Sequence, residues 1–173
     1  MRAPDAFRVA FHATRGVFVA ELVRAYSPLG VDRFYNLVRM GFYDRAAFFR
    51  VVPNFVVQFG IPADPQVAAA WRNANIADDP VVESNVRGTL VFAKAGPGTR
   101  TTQLFINLQD NSRLDAMGFS PIGRIVEGMR VVDTLHSGYG ETPSQTKLQQ
   151  EGNRYLESEF PDLDYVQRIS LIP

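Results

Sequence analysis

The sequence predicts a mainly β protein, in which many short strands form a closed β-barrel or a sandwich and two or three helices act as lids. Two observations carry this prediction. Short runs alternate apolar with polar or small side chains, which is the pattern of strands with one buried face. Turn-forming residues separate these runs, and the chain contains 13 Gly and 11 Pro.

The strands are predicted from these alternating runs. A hairpin opens the chain, because residues 7–11 alternate and Thr14-Arg15-Gly16 can form a turn. The run at 47–59 is interrupted by Pro53-Asn54, which must bend the chain or lie at a sheet edge. The predicted strand regions, in chain order, are 7–12, 17–22, 47–59, 86–93, 102–108, 120–126 and 166–172.

Three stretches have helical character. In the first, Ser27 is the candidate N-cap, Pro28 takes the first helical position and Gly41 ends the helix. The second begins at 127–128 and carries Met129, Val132 and Leu135 on one face. The third is the charged stretch 145–159, and residues 60–77 are predicted to be a long irregular loop.

Composition excludes several classes of function. The 173 residues suit one domain, and the 18 basic and 18 acidic residues give a net charge of zero, which disfavours nucleic-acid binding. The lack of Cys excludes thiol catalysis, disulfides and Cys-based zinc sites. Apolar runs stay below the roughly 20 residues of a membrane span. No leader is present as written, so we expect a cytoplasmic protein, or a periplasmic or secreted one if a leader precedes this sequence.

Carboxylates and glycines elsewhere give no sign of a metal or cofactor site. Asp78-Asp79 and the pair Asp162 and Asp164 are interpreted as helix caps or solvated charges, since a metal site would need more carboxylates at loop spacing. Gly96-Pro97-Gly98 lacks the spacing of a nucleotide-binding loop. We therefore predict neither a metal nor a cofactor.

The segment around Arg50 is the candidate site. Arg50 lies in a run of Phe and Val, and Gln58 follows it eight residues later. The two share parity in a strand, so both can point to one face if the bend at Pro53-Asn54 preserves register. Two interpretations stay open at this point, namely a surface arginine on a solvent-facing side or a half-buried guanidinium beside the aromatic Phe55.

Three sequence blocks resemble the cyclophilins. The first is Phe-x-Arg-Val-Val-Pro-x-Phe-x-x-Gln-x-Gly at 48–60. The second comprises 88–97 and 101–106, and the third comprises 114–119 and 122–129. The blocks occur in family order with family-like spacing and cover most of residues 7–135.

The resemblance implies a fold and an activity. The fold is a closed antiparallel eight-stranded barrel capped by two helices, with a core at about 5–136 and a helical C-terminal extension at about 137–173, as in some bacterial cyclophilins. The activity is peptidyl-prolyl cis-trans isomerisation, which assists protein folding. The implied partners are proline-containing peptides and unfolded or flexible proteins, and the implied state is a monomer.

The resemblance also assigns site residues. Arg50 matches the catalytic arginine, Gln58 the glutamine that orients it, and Phe55 an aromatic residue of the proline pocket. The remaining positions are implied to bind substrate: Phe105 and Leu114 in the pocket wall, Val56 in place of a usual Met, Ala93, Lys94 and Gln103 beside the substrate backbone, and Phe119, or else Met117, in place of the usual histidine. At Lys94 the resemblance gives weight to the backbone groups.

Two further expectations concern the rim and the tail. Arg113 stands where many eukaryotic members carry a Trp that binds cyclosporin, which calls cyclosporin binding into question. The tail is predicted to pack back on the barrel through Leu156, Phe160 and Leu163. An alternative function is a proline-peptide binding module without turnover, and a structural barrel with an unrelated ligand would require the three blocks to be coincidental.

Overall fold

The computed structural model describes residues 1–173 and shows one antiparallel sheet of nine strands. The mainly β prediction is confirmed, whereas the predicted count of eight strands is not. The strands are β1 (Ala6–Ala13), β2 (Gly16–Val23), β3 (Ala46–Ala47), β4 (Arg50–Val52), β5 (Val56–Phe59), β6 (Thr89–Phe92), β7 (Leu104–Asn107), β8 (Pro121–Glu127) and β9 (Tyr165–Ile172). The order across the sheet is β3-β9-β1-β2-β8-β6-β7-β5-β4.

The sheet curls until its two edge strands are neighbours along the chain. β3 and β4 lie at opposite ends of the strand order, yet only Phe48 and Phe49 separate them in sequence. No ladder of hydrogen bonds joins them, so the expected closed barrel is instead completed by the covalent chain. The Phe48 N–H donates to Asp164 O over 2.9 Å, which holds the chain beside β9 until it crosses to β4.

The inside of the curled sheet is filled by aromatic rings. Phe11 stacks on Phe18 with ring centroids 4.6 Å apart, and Phe11 meets Phe59 edge to face at 5.7 Å. Such pairs add to the free energy of burial of each ring. The many Phe residues in the sequence are therefore largely explained by the core, in which the most deeply buried are Phe11, Phe18, Phe34, Phe48, Phe49, Phe59 and Phe92.

The first helix, α1 (Pro28–Arg39), begins and ends where the sequence predicts, but its cap differs. The Ser27 side chain caps no backbone group; its hydroxyl donates to the Asp79 carboxylate over 2.7 Å. That carboxylate accepts from the N–H groups of Leu29 and Gly30, at 3.2 and 2.9 Å. A carboxylate 50 residues away in sequence therefore satisfies the helix N-terminus, which local pattern cannot reveal.

The region predicted as a long irregular loop contains a short helix, α2 (Pro65–Trp71). Its start carries standard signals, because Asp64 accepts from the Gln66 N–H over 2.8 Å and Pro65 takes the first helical position. The third helix, α3 (Met129–Asp133), begins as predicted and ends after little more than one turn. Its apolar face, with Val132 and Leu135, is buried as expected.

The tail forms two helices and the last strand. The predicted single stretch is divided into α4 (Gln145–Glu151) and α5 (Asn153–Glu159) by Gly152, whose φ of 69° and ψ of −158° only glycine adopts readily. Packing of the tail on the barrel is confirmed. One buried cluster joins the tail to the sheet and the segment after it: Ala47, Phe49, Ile61, Leu148, Tyr155, Leu156, Phe160 and Leu163. None of the helices has the length and apolar character that a membrane crossing would require.

Candidate active site

The hairpin of β4 and β5 sets the position of Arg50. Its register places Arg50 directly opposite Gln58, so the predicted shared face is confirmed. The turn between the strands uses Asn54 in the left-handed region, with φ of 62°, a conformation that Asn tolerates better than most residues. Arg50 Nη1 donates to Gln58 Oε1 over 3.1 Å. The guanidinium is thereby held against the sheet by a side chain of its own hairpin.

Residues that lie opposite one another on neighbouring strands extend the pair of Arg50 and Gln58 into a row across the sheet. Gln58 lies opposite Phe105 on β7, and Phe105 lies opposite Val91 on β6. Because side chains alternate between the two faces of a strand, this row points away from the core. The intervening Val57 and Ile106 point into the core. The same strands therefore build the interior with one set of residues and the candidate site with the other.

A cavity of about 580 Å³ opens over this row. The Arg50 side chain at its edge is 25% exposed, and its guanidinium carbon lies 5.6 Å from the centroid of the Phe55 ring. This agrees with the half-buried interpretation and not with the surface one. All ten predicted site residues line the cavity: Arg50, Phe55, Val56, Gln58, Ala93, Lys94, Gln103, Phe105, Leu114 and Phe119. Their placement together is observed, whereas their roles stay predictions.

The apolar part of the cavity is a compact cluster. Phe105 and Phe119 meet edge to face with ring centroids 5.7 Å apart. Val56 and Leu114 are buried beside them. Met117 also lines the cavity but is largely exposed. That Phe119 stands in place of the usual histidine stays a prediction. The surface formed is apolar and concave.

The loop that carries Leu114 and Phe119 is fixed from below by Asp115. Its carboxylate accepts from Ser84 Oγ at 2.6 Å and from both the backbone and side-chain nitrogens of Asn85, at 2.8 and 2.7 Å. Burial alone would raise the pKa of Asp115, but these hydrogen bonds outweigh it and the pKa lies below its ordinary value. The apolar wall of the cavity is therefore held by a charged anchor.

The side chain of Lys94 has a role that the sequence did not reveal. Only 7% of it is exposed, and its ammonium nitrogen lies 3.6 Å from Asp78 Oδ1 and 5.4 Å from the Phe119 ring centroid. The side chain therefore joins the segment that follows β6 to Asp78 and to the loop that carries Phe119. The expectation that the backbone groups of Lys94 meet the substrate stays a prediction.

Four side chains form a chain of hydrogen bonds along one wall. Gln58 accepts from Arg50 and donates through Nε2 to Gln103 Oε1 over 2.9 Å. At the other end, Arg50 Nε donates to Glu141 Oε1 over 3.0 Å, and Nη2 donates to the same oxygen. Gln103 lines the cavity, and its amide N–H groups donate to no other group of the protein. Sequence reasoning missed Glu141.

Other cavity residues were also missed. Gln145, from the first turn of α4, lines the cavity together with Thr99 and Thr101. Like Glu141, Gln145 belongs to the tail, and nothing in the local pattern of residues 137–145 indicates contact with Arg50. Only the three-dimensional path of the tail brings these side chains to the site.

The chemistry available here is binding and polarisation. The cavity offers an apolar surface, a guanidinium and amide donors, and it contains no Ser–His or Cys–His pair placed for nucleophilic attack. No group of three or more His, Asp or Glu side chains is placed to hold a metal ion. Such a site suits a reaction in which a bound group rotates without a covalent intermediate.

Comparison with known proteins decides the family. The model of the cyclophilin-type peptidyl-prolyl cis-trans isomerase family matches residues 8–153. The chain belongs to this family. A curated relative, peptidyl-prolyl cis-trans isomerase-like 1 of Aspergillus niger, is 32% identical over 130 residues, which cover 73% of this cyclophilin and 80% of the relative.

Solved structures agree in fold over almost the whole chain. A cyclophilin-type peptidyl-prolyl cis-trans isomerase from Cryptosporidium parvum has a TM-score of 0.70 at 20% identity, with 97% of this cyclophilin and 98% of that chain covered. A second structure of the same protein, determined in the presence of the dipeptide Ala-Pro, has a TM-score of 0.68 at 21% identity. The match covers 96% of this cyclophilin and 99% of that chain. The activity predicted from the sequence, peptidyl-prolyl cis-trans isomerisation, is confirmed by the family model and the curated relative.

Proposed function

We propose that the cavity binds exposed X-Pro segments of polypeptides and catalyses rotation about the prolyl peptide bond, so that the protein acts as a monomeric folding helper. One observation carries this proposal: the N–H groups of Arg50 lie at the edge of an apolar cavity lined by Phe105, Leu114 and Phe119. The cavity takes the proline ring, and the guanidinium meets the amide that rotates.

The energetics suit such a site. The barrier to rotation is about 20 kcal/mol, and uncatalysed exchange takes roughly 10–100 s. Reaching milliseconds requires about 10⁴-fold acceleration, or roughly 5.5 kcal/mol of transition-state stabilisation. A hydrogen bond from a charged donor supplies about 1.5–3 kcal/mol of this. Arg50 thus supplies about a quarter to a half of the stabilisation, and desolvation in the cavity with clamping of the substrate backbone supplies the rest.

Each group has a distinct part in this mechanism. When the amide twists, its resonance is lost and the prolyl nitrogen gains a free lone pair, to which Arg50 can donate. The Gln103 N–H groups hold the substrate backbone while the preceding carbonyl swings. No bond is broken and no proton is transferred, so the site needs neither a nucleophile nor a metal.

The proposal is tested with a proline peptide. The relative from Cryptosporidium parvum was crystallised in the presence of Ala-Pro, which supports an Ala-Pro peptide as the probe. We expect two-dimensional NMR exchange on such a peptide to show cis-trans interconversion accelerated by about 10⁴-fold at saturation. A protein that binds the peptide and leaves its exchange rate unchanged would be a proline-peptide binding module instead.

Cyclosporin binding is expected to depend on Arg113. The guanidinium carbon of this exposed residue lies 5.2 Å from the Phe55 ring centroid, at the place where the family resemblance implies a Trp. Arg113→Trp would add an indole N–H donor and an apolar ring at the rim. We expect cyclosporin to inhibit this variant roughly 2- to 12-fold more strongly than the wild type. This factor corresponds to the free energy that one neutral hydrogen bond contributes. Equal inhibition constants would contradict this prediction, with Arg113→Ala as the control.

A further inference from the structure

Glu141 reaches Arg50 from the C-terminal extension, 91 residues away in sequence. Its Oε1 accepts from both Nε and Nη2 of Arg50, on the side of the guanidinium away from the bond to Gln58. The tail therefore contributes directly to the group that the proposed mechanism uses. The lining of the cavity itself comes from strands and loops that precede residue 120, apart from Gln145.

The donors of the guanidinium can be counted. Arginine has five N–H groups, of which one lies on Nε and two on each Nη. Glu141 takes the Nε–H and one Nη2–H, and Gln58 takes one Nη1–H. One N–H remains on each Nη. A guanidinium fixed at three of its five donors has little freedom to rotate, and the two free N–H groups have a defined direction.

The backbone that carries Glu141 is anchored on both sides. The Ser144 N–H donates to Tyr155 Oη over 2.9 Å, and the Thr142 N–H donates to Tyr139 O over 2.9 Å. The Tyr139 ring packs edge to face on Phe160 at 5.0 Å. Although 62% of the Glu141 side chain is exposed, its main chain is thus held to the packed tail.

The charge of Glu141 also suits its surroundings. The guanidinium carbons of Arg50 and Arg113 lie 5.6 and 5.2 Å from the centroid of one ring, Phe55. Two cations near one ring repel each other, so a carboxylate on Arg50 keeps this guanidinium in place. Glu141 is the acidic side chain that forms an ion pair with Arg50.

We propose that Glu141 is a positioning residue for the isomerase reaction. It binds the Nε and Nη2 side of Arg50 and so directs the two remaining N–H groups toward the twisting amide. The inference rests on the proposed function, because it assigns to Glu141 an effect on the step that Arg50 promotes. The opposite arrangement, in which Glu141 competes with substrate for Arg50, would produce the reverse effect on activity.

Substitutions at Glu141 test the proposal. We expect Glu141→Ala to lower kcat roughly 2- to 5-fold with little change in KM. This factor corresponds to the free energy that a partly exposed ion pair contributes. Glu141→Gln keeps an acceptor oxygen and should lie between Glu141→Ala and the wild type. Glu151→Ala, an exposed residue of α4 without a side-chain hydrogen bond, is the matched control and should retain wild-type kcat. In ¹H–¹⁵N spectra, exchange of the Arg50 Nε–H with water should accelerate in Glu141→Ala and not in the control.

A double-mutant cycle separates positioning from a purely structural role. In an Arg50→Ala background, Glu141→Ala should cause no further loss of kcat, because there is no guanidinium left to orient. A further loss of the same size would overturn the proposal, as would a rise of kcat/KM in Glu141→Ala. A wild type with turnover that Glu141→Ala leaves unchanged would overturn this inference alone. A wild type without turnover would overturn the proposed function and this inference with it.

Discussion

Arg50→Ala is expected to lower kcat/KM for a proline peptide by roughly 10- to 150-fold while the protein stays folded. This fold-change is obtained by converting the free energy of a hydrogen bond from a charged donor, about 1.5–3 kcal/mol, into a ratio of rate constants. The fold should survive because the side chain lies at the cavity edge and its acceptor Gln58 Oε1 can be reached by water once Arg50 is removed. The rate is measured by NMR exchange and the fold by thermal unfolding.

Two variants make this test specific. Arg8→Ala removes an arginine that also lies on a strand and pairs with a glutamate, Glu21, but at a distance from the cavity. It should leave the rate unchanged. Arg50→Lys keeps the positive charge and loses the planar set of donors, so we expect it to recover only part of the rate. Full activity in Arg50→Ala would refute the mechanism.

The second large effect concerns stability. Asp79→Asn is expected to lower the free energy of unfolding by about 3–5 kcal/mol, the usual cost of removing one partner from a buried ion pair. The Arg100 and Asp79 side chains are only 4% and 5% exposed and lie 2.9 Å apart. Arg100 Nε already has no hydrogen-bond partner, and the nearest other carboxylate, Asp78, lies 3.9 Å away and is 34% exposed.

Urea denaturation measures this loss, and the double variant Asp79→Asn/Arg100→Met is its control. Because the double variant leaves no unpaired buried charge, it should be more stable than Asp79→Asn alone. A loss of less than about 1 kcal/mol in Asp79→Asn would show that the pair behaves like an exposed one.

The same residue gives a pH dependence with a definite sign. Burial alone would raise the pKa of Asp79, but the hydrogen bonds from Ser27, Gly30 and Arg100 outweigh it and hold the pKa below its ordinary value of 3.8. The stabilisation by Asp79 is therefore present above that value and is lost as the pH falls through it toward the lower pKa of the folded state. Between pH 6 and pH 3, wild type should lose more stability than Asp79→Asn.

The predictable features are those that depend on residues close together in sequence. Arg50 and Gln58 lie an even number of positions apart in sequence, so they share one face of the sheet if the hairpin keeps its register. The structure shows that the register is kept, because the two residues lie opposite each other. The start of α1 was likewise found from Ser27 and Pro28. Composition does not predict the helix α2, because a segment rich in small residues and Pro resembles a loop, although Asp64 and Pro65 are signals of a helix start.

The features that escaped prediction depend on distant parts of the chain. The strand count differed because the run at 47–59 breaks at Phe48-Phe49 as well as at the predicted bend after β4. The carboxylate at the start of α1 belongs to Asp79, which lies 52 residues from its contact Ser27. The carboxylate that binds Arg50 belongs to Glu141, which lies 91 residues from Arg50 in sequence. Neither partner can be found from periodicity or spacing, since both are set by tertiary packing.

The place of β9 in the sheet has a consequence for biosynthesis. This strand is synthesised after the other eight, yet it lies between β3 and β1, and His12 contacts Ser170 across 158 positions of sequence. On the ribosome, the first hairpin must therefore keep one edge unpaired until β9 leaves the exit tunnel. Contacts of such high sequence separation form slowly. A nascent chain of this isomerase that has not yet reached β9 is an incomplete sheet. Completion of the sheet and the delivery of Glu141 to Arg50 both depend on residues that are synthesised after β8.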